Sequence, residues 1–464
     1  MPEIVATPCA ARLQSFGFSQ PHAAPNLEMG SARGCLMNRV VMLSAALVMA
    51  AALPSDGLAA VPAVSRPTMF RADAAHTGCY ASPPIPEIRQ HLWRFRTDGK
   101  VESSPVVADG LIFFGCDDGH VYAADAATGV ERWRFRTKKD VSSSPAVVGG
   151  VVYVGCDDGY LYAIDARAGS ERWRFKTDGD INSSPTVVGG LVFFGSDDKS
   201  LYAVDAATGV ERWRVTLRKG IKASPAVAGG MVYVGDTGGD FVAVDTQTGV
   251  QRWGFKANKT IESSATVAGG VVYVGDNGGN LYALDAVSGE QKGLFKADDD
   301  IRSSPAYADG LLYVGSNDDY LYAIDVAAGE IAWRFRTEDD IRSSPAVAGG
   351  MVYVGSEDDH LYALDAKTGE VKWQFRTEKD IHSSPAVVGG VVYIGSQDKR
   401  VYAISGVGPE PQPPTPQPAP PTPEPAAPAP QPVAPTSEPP PPPTPIPPAP
   451  PTPEPPQKPS DPTA

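Results

Sequence analysis

Short loops rich in Asp and Gly are the parts of this chain whose residue types could do chemistry. Residues 236–240 read Asp-Thr-Gly-Gly-Asp and residues 276–280 read Asp-Asn-Gly-Gly-Asn, and oxygen ligands in such loops suit calcium. Elsewhere the same segment reads Asp-Asp-Gly, as at residues 117–119, which is ordinary hairpin-turn sequence, and the distal Glu of a full calcium loop is absent. We therefore interpret these loops as turns and predict no metal site.

The usual nucleophilic and acid–base residues form no catalytic pattern either. The six His show no ligand spacing, and Ser recurs mainly in a repeated Ser-Ser-Pro with no matching His and Asp. Cys116 and Cys156 lie one repeat apart, too far for a disulfide between them. Cys79 either pairs with one of these two or all three remain free thiols. We predict no catalytic residue and interpret the chain as a non-enzyme.

A repeat of 40 residues organises the chain from residue 91 onward without an insertion. The row that begins at Trp133 contains four runs rich in Val, Tyr, Ile and Phe, at residues 133–137, 143–148, 151–155 and 160–165. Turn signals such as Gly149-Gly150 bound each run. Four antiparallel strands every 40 residues predict an all-β fold, a β-propeller of four-stranded blades.

The two ends of the repeat region predict how the ring closes. The last repeat supplies strands at residues 383–388, 391–395 and 400–404 and then stops, while an isolated outer strand stands at the front, at residues 92–97. Borrowing that strand completes the last blade and protects its sheet edges. We therefore predict eight blades within residues 91–406, closed by an N-terminal outer strand.

A recurring motif carries a resemblance to a known family. Ala123, Asp125, Thr128, Gly129 and Trp133 have the spacing Ala-x-Asp-x-x-Thr-Gly-x-x-x-Trp, and residues 203–213 and 363–373 are full copies. This spacing resembles the tryptophan-docking motif of quinoprotein-type (pyrroloquinoline-quinone-like) propellers, and residues 69–78 resemble their entry peptide. The resemblance implies that the indole packs between blades while Asp and Thr fix the adjacent turn. The implied docking residues are Trp93, Trp133, Trp173, Trp213, Trp253, Trp333 and Trp373. Gly293 replaces one Trp, so we expect that junction to be the weakest.

The resemblance also raises an enzymatic alternative, a pyrroloquinoline-quinone-dependent dehydrogenase that holds calcium beside the cofactor. All seven Trp are assigned to outer strands, no vicinal Cys pair exists, and the strict spacing leaves no inserted loop to build a pocket. We therefore expect no cofactor and keep the dehydrogenase, or a relative that still binds the quinone, as the alternative.

The residues that differ between repeats point to one candidate site. The residue before each Ser-Ser or equivalent pair forms a ring of Glu102, Ser142, Asn182, Lys222, Glu262, Arg302, Arg342 and His382. The loops after the Trp strands and the Asp-Asp-Gly turns also vary, and both emerge on one face of a propeller. We expect a protein partner to bind there, with a cationic arc of Arg302, Arg342 and His382 opposite Glu102 and Glu262. The alternative is neutral variation at exposed loops.

The regions outside the repeats predict export and a spacer. Residues 37–59 have the basic start, apolar run and small-residue site of a secretory signal peptide; a short membrane anchor is the alternative. Residues 1–36 form an upstream segment, so translation starts at Met1 or at Met37, and residues 60–90 form the entry segment. Of the 46 Pro, 29 lie in residues 409–464, which predicts a disordered Pro-rich tail over residues 407–464.

The net charge of −14 argues against nucleic-acid binding, which requires a basic face. We therefore expect a monomeric periplasmic or secreted scaffold that binds a protein partner in the cell envelope and does not span the membrane after cleavage. It resembles the propeller subunit of bacterial outer-membrane protein assembly, although the lipid-anchor cysteine is missing. A multivalent module with eight weak copies of one site is a further alternative.

Overall fold

The computed structural model describes residues 68–406 with the exception of residue 89, and these residues form β-strands joined by turns. The predicted upstream segment, signal peptide and Pro-rich tail lie outside the described residues. Within the described range there is no helix of the length and apolar character needed to cross a membrane.

Each blade is built from strands that are consecutive in the chain and follow each other from the inside of the ring outward. Two strands precede the first blade: β1 (Cys79–Tyr80) and β2 (Gln90–Arg96). Blades 1 and 2 comprise β3 (Val106–Ala108), β4 (Leu111–Cys116), β5 (His120–Asp125), β6 (Glu131–Arg136), β7 (Ala146–Val148), β8 (Val151–Gly155), β9 (Tyr160–Asp165) and β10 (Glu171–Lys176). Blades 3 and 4 comprise β11 (Thr186–Val188), β12 (Leu191–Gly195), β13 (Ser200–Asp205), β14 (Glu211–Thr216), β15 (Ala226–Ala228), β16 (Met231–Gly235), β17 (Asp240–Asp245) and β18 (Gln251–Lys256).

The second half of the ring repeats this plan. Blades 5 and 6 comprise β19 (Thr266–Ala268), β20 (Val271–Gly275), β21 (Asn280–Asp285), β22 (Gln291–Lys296), β23 (Ala306–Ala308), β24 (Leu311–Gly315), β25 (Tyr320–Asp325) and β26 (Glu330–Arg336). Blades 7 and 8 comprise β27 (Ala346–Ala348), β28 (Met351–Gly355), β29 (His360–Asp365), β30 (Val371–Arg376), β31 (Ala386–Val388), β32 (Val391–Ser396) and β33 (Arg400–Ser405), with β2 as the outer strand of blade 8.

The ring closes as predicted. β2 pairs antiparallel with β33, with Trp93 opposite Ala403 and Arg96 opposite Arg400, and the inner strand β3 contacts both β7 and β31. The eight-bladed, all-β propeller and its closing strand are therefore confirmed. Strand β1 adds a parallel fifth strand to blade 7.

The inner strands are shorter than the sequence suggests. The prediction of a strand over residues 143–148 is wrong at its start, because pairing begins only at Ala146. The amide of Ser144 donates instead to the hydroxyl of Ser184 in the next blade, at 3.0 Å, and Pro145 has no amide hydrogen to donate. Ser-Ser-Pro is therefore a connection between blades and lies outside the strand.

The serines close a hydrogen-bonded circle around the propeller. The second Ser of each pair accepts the amide of its counterpart one blade back, at 2.9–3.1 Å, and Ser384 donates to Ser104 to complete the ring. The first Ser accepts the amide of a Gly on the second strand of its own blade, as Ser103 does from Gly115 at 3.0 Å. The hydroxyl of the second Ser thus connects neighbouring blades, and the hydroxyl of the first Ser connects two segments of the same blade.

The indoles join neighbouring blades on the outer side. Trp133 of blade 1 donates through Nε1 to the carbonyl of Ala166 in blade 2, at 2.9 Å, and a β-bulge just before each such position turns the side chain toward the neighbour. Asp125 accepts the amide and hydroxyl of Thr128 at 3.0 and 2.9 Å. These are the contacts that the family resemblance implies for Trp, Asp and Thr.

Gly293 leaves one junction without an indole. Between blades 5 and 6 an apolar cavity of only about 10 Å³ remains, lined by Tyr273, Phe295 and Leu312 among others. Phe295 is 3% exposed, and Tyr307 stacks against Tyr273 with ring centres 6.4 Å apart. Neighbouring aromatic rings thus fill most of the space, although the indole hydrogen bond has no replacement there. Our expectation that this junction is the weakest stays a prediction.

The three cysteines of the described range are free thiols. Cys79 is exposed at the inner face of the ring, whereas Cys116 and Cys156 are buried in blades 1 and 2. The disulfide that the sequence left open for Cys79 is therefore not formed.

Alanine substitutions at two glycines of blade 1 can distinguish two destabilising effects, the strain of a positive φ and the crowding of an indole. Gly110 and Gly129 have φ of +77° and +70°, but a Cβ on Gly110 would meet no atom within 4 Å, while one on Gly129 would lie 2.6 Å from the Trp93 ring. We expect Gly110→Ala to cost about 1 kcal/mol. Gly129→Ala should cost about 1–3 kcal/mol more because it overpacks the junction. Urea unfolding of both variants measures the difference, and equal losses would contradict the role assigned to the indole contact.

Candidate functional site

The variable residues gather on one face of the propeller, which we call the loop face. It is formed by the loops that lead from each outer strand to the next inner strand and by the turns between the second and third strands of each blade. The predicted ring lies here. Glu102, Ser142, Asn182, Glu262, Arg302, Arg342 and His382 are half-buried, and Lys222 is exposed.

Part of the loop face is used to hold the blades together. Asp118 accepts the Tyr122 hydroxyl at 2.8 Å and the amide of Asp98, which follows the outer strand of the preceding blade, at 3.1 Å. The same pair of roles recurs at Asp158, Asp198, Asp318, Asp358 and Asp398. The second Asp of each turn is therefore structural, although the sequence suggested a variable turn.

Blades 4 and 5 make the same connection with a carboxylate two residues earlier. Gly238 and Gly278 stand at the usual Asp position, and Asp236 and Asp276 accept the amides of Lys219 and Lys259 at 3.0 and 3.2 Å. Both carboxylates are fully buried and also accept amides of their own turns. The two Gly-rich loops considered for calcium are thus held as hairpin turns.

A second ring surrounds the mouth, and sequence reasoning missed it. The first residue of each turn lies beside the predicted ring. Its main-chain amide bonds to the loop after the preceding outer strand, as Asp117 does to Lys100 at 3.0 Å, but its side chain does not make the bonds described for Asp118. The members of this second ring are Asp117, Asp157, Asp197, Thr237, Asn277, Asn317, Glu357 and Gln397. The variation of this residue from blade to blade is the signal in the sequence that could identify it, but a comparison of whole turns does not separate it from the structural Asp that follows. The two rings together line the mouth of the loop face.

Blades 4 to 8 form an ion-paired sector of this mouth. Glu262 lies between Lys222 and Arg302, at 3.9 and 3.6 Å, and Glu357 lies 2.9 Å from both Arg342 Nε and His382 Nε2. Because each cation has a carboxylate beside it, this sector carries little unbalanced charge.

The expected arrangement of opposed charges is therefore wrong. Glu262 contacts Arg302 directly, and Glu102 lies 3.6 Å from His382 Nδ1 across the junction of blades 8 and 1. Glu262 and Glu102 do not face the cationic arc from across the mouth; they lie beside its two ends. Side chains at adjacent blades come within reach of each other at this radius, which a linear comparison of repeats does not show.

Blades 1 to 3 form an acidic sector. Burial, followed by repulsion from Glu102 and Asp140, raises the pKa of Asp117 to about 7. Burial and the charges of Asp180 and Asp140 raise the pKa of Asp157 to about 6. One oxygen of each of these two carboxylates is buried without a hydrogen bond. The mouth is thus electrically uneven, with an acidic sector beside an ion-paired one.

One cluster in the mouth has the composition of a metal site. Ligand atoms of Glu357, Asp380 and His382 lie within 4.8 Å of one another. Burial by itself lowers the pKa of His382, but the carboxylates of Glu102 and Glu357 outweigh it and raise this pKa to about 9. His382 thus forms ion pairs with Glu102 and Glu357 across two blade junctions.

The entry segment lies inside the ring of inner strands, on the side of the serine circle away from the loop face. Arg71 is buried and donates to the carbonyls of Pro305, Pro345 and His76. His76 is fully buried, and burial together with Arg71 lowers its pKa to about 3. The segment thus fills space near the axis on that side of the ring.

The indoles are not available to hold a planar cofactor. Each of the seven Trp donates its indole hydrogen to a main-chain carbonyl across a blade junction; the acceptor for Trp373 is Ile85 of the entry segment, and the other acceptors belong to the next blade. The quinone site implied by the family resemblance therefore has no Trp to serve as its floor.

Comparisons with known proteins agree on the architecture. A family model described as outer membrane protein assembly factor BamB matches residues 89–138, 117–220, 197–292 and 292–408. The crystal structure of BamB from Moraxella catarrhalis superposes with a TM-score of 0.60 at 19% identity, covering 68% of this chain and 99% of that one. Quinohemoprotein alcohol dehydrogenase from Comamonas testosteroni gives a TM-score of 0.65 at 18% identity over 75% and 82% of the two chains. No curated protein sequence matches.

The charge network around His382 should make stability depend on pH. The folded pKa of about 9 lies above the ordinary 6.5, so the stabilisation is complete below pH 6.5 and is lost as the pH rises to 9. Its size is at most about 3 kcal/mol. We expect His382→Gln to lower the free energy of unfolding at pH 6 and to have a much smaller effect at pH 9.5, as measured by urea unfolding. Glu357→Gln should remove much of the same pH dependence, and a His382→Gln effect independent of pH would contradict the assignment.

Proposed function

Because the chain belongs to the family described as outer membrane protein assembly factor BamB, we propose that it is an exported, non-catalytic scaffold. In this proposal the loop face binds one protein partner in the cell envelope, in the assembly of outer-membrane proteins. The printed family description and the similarity to BamB of Moraxella catarrhalis support this role.

One observation carries the proposal. The side chains that differ from blade to blade are collected around a single mouth, and the mouth rings are separate from the Ser, Trp and Asp bonds that join the blades. The blades are nearly identical, but the charges around the mouth differ from blade to blade. Such a surface favours one partner in one orientation, because complementary charges fix how two proteins align in a complex. Eight equal sites would instead require eight similar mouth residues.

The alternative is a quinone-dependent dehydrogenase or a relative that binds its cofactor. Structural similarity to quinohemoprotein alcohol dehydrogenase favours it, but that similarity concerns the fold. The engagement of all seven indoles at blade junctions supports the scaffold over the enzyme.

Substitutions in the mouth should abolish partner binding. We expect Arg302→Glu with Arg342→Glu to reduce crosslinking to a subunit of the outer-membrane assembly machinery by at least about tenfold, because each change adds like charge beside Glu262 or Glu357. The measurement is crosslinking in intact envelopes followed by mass spectrometry.

Matched control substitutions lie on the outer strands. Arg132→Glu with Arg212→Glu makes the same charge change at side chains that are 54% and 57% exposed, and it should leave capture intact. Unfolding curves check that both double variants are folded. Equal capture by the wild type and the folded mouth variant would refute the docking site.

Cofactor binding is tested separately. We expect the purified protein to show no saturable heat and no new absorbance when titrated with pyrroloquinoline quinone and calcium. One quinone bound per chain would establish the alternative and overturn the scaffold proposal.

A further inference from the structure

Apart from the mouth, one blade junction departs from the repeat in its packing. Within residues 68–406, seven of the eight junctions bring together a Phe of one outer strand and a Tyr of the next blade, with ring centres 5.0–5.4 Å apart. At the junction of blades 3 and 4 these two positions hold Val215 and Val242, which pack in one apolar cluster. Two valines thus stand where the other junctions have two aromatic rings.

The residue that covers the Tyr ring is also replaced in blade 4. In blade 3, the Arg214 guanidinium lies over the Tyr202 ring, 5.8 Å from its centre. Gly254 occupies the position of this Arg in blade 4, and it stands opposite Val242 in the pairing of β17 with β18. The two small residues therefore lie side by side on the face of blade 4 that packs toward blade 3.

These replacements leave a groove at the junction, with a volume of about 400 Å³. Leu217, Val242 and Phe255 contribute apolar lining, and Gln251 and Gly254 lie along it on β18. An apolar group that fills such a groove removes hydrocarbon surface from water, and an aromatic ring also gains contacts with neighbouring rings. The groove therefore suits one aromatic side chain.

One end of the groove carries positive charge. Arg218 and Lys256 line it and share the carboxylate of Asp240, at 3.5 and 2.9 Å. Lys256 also donates to the carbonyl of Gly238 at 2.7 Å, whereas the Arg218 side chain is 82% exposed. The position of Arg218 is acidic in five of the other seven loops, so this cation distinguishes the groove from them. Two cations with one carboxylate favour an anionic group on the ligand.

We propose that this groove binds a protein segment in which an aromatic side chain lies next to a carboxylate. The ring occupies the space beside Leu217, Val242 and Gly254, and the carboxylate pairs with the Arg218 guanidinium, whose planar fork matches it. An aromatic anchor in a pocket is a common source of binding energy at protein interfaces. The lining residues belong to neither of the two mouth rings, so this binding does not rest on the proposed function.

A short peptide tests the site directly. The probe is acetyl-Ala-Phe-Glu-Ala-amide with fluorine on the Phe ring, titrated into the purified full chain and followed by fluorine NMR. We expect saturable binding with a Kd on the order of 1 mM or below. An unlabelled peptide with Ala in place of Phe should not compete, because it lacks the ring.

The first variant fills the groove with residues that the chain itself uses in blade 3. Val242→Tyr with Gly254→Arg restores the Tyr–Arg pair, so it should fold, and it should weaken peptide binding at least about tenfold because the ring loses its space. The control, Ala127→Arg with Val130→Tyr, adds the same side chains at an exposed turn of blade 1 and should leave binding unchanged. Urea unfolding checks that both variants are folded.

A second variant tests the charge and leaves the apolar lining intact. Asp occupies the position of Arg218 in three other loops, so Arg218→Asp should be tolerated. We expect it to weaken binding of the Phe-Glu peptide at least about fivefold and to leave binding of a Phe-Gln peptide unchanged.

Two outcomes would overturn the proposal. One is binding of the Phe-Glu peptide that either folded variant leaves unchanged, and the other is no saturable binding by the wild type up to about 10 mM peptide. The mouth variant Arg302→Glu with Arg342→Glu should bind the peptide as the wild type does, which separates this result from the test of the proposed function.

Discussion

Closure of the ring is the constraint on which the rest of this structure depends. A four-stranded blade cannot bury both of its faces alone, so each blade is stable only between two neighbours. The pairing of β2 with β33 supplies the last contact. It also permits the complete circle of serine hydrogen bonds, in which Ser384 returns to Ser104. Hydrogen bonds between blades therefore occur in three places: the Ser bonds lie near the axis, the Asp bonds lie on the loop face, and the Trp bonds lie on the outer side of the ring.

Because of these bonds, the polar residues of the turns fall into two groups that differ in how freely their residue type can change. Asp118 and its equivalents hold the preceding blade and must keep their geometry. Asp117 and its equivalents stand one residue earlier and bond to the preceding blade through the main chain only. Their side chains are free of that role, so Thr, Asn, Glu or Gln can replace Asp there. A repeated frame thus leaves a narrow set of positions at which the mouth can differ, and these positions produce the acidic and ion-paired sectors.

The opposite side of the serine circle has a different role. There the entry segment passes along the inner strands, and Arg71 satisfies carbonyls of blades 6 and 7. Space near the axis is used for packing on this side, and the indoles are used at the junctions. Within residues 68–406, the polar side chains that distinguish one blade from the next collect at the mouth of the loop face, which supports the proposed scaffold role.

The sequence by itself determined the repeat length, the number of blades and the closing strand, because each follows from local strand patterns. The resemblance carried by the motif around residues such as Asp125 implied the docking role of Trp. The ring from Glu102 to His382 as a binding site stays a prediction. Only the tertiary structure decided which of these charges pair, that Glu102 lies beside His382, and that one Asp of each turn is structural while its neighbour faces the mouth. Those relations join residues up to 280 positions apart, and no local pattern encodes the distance between them.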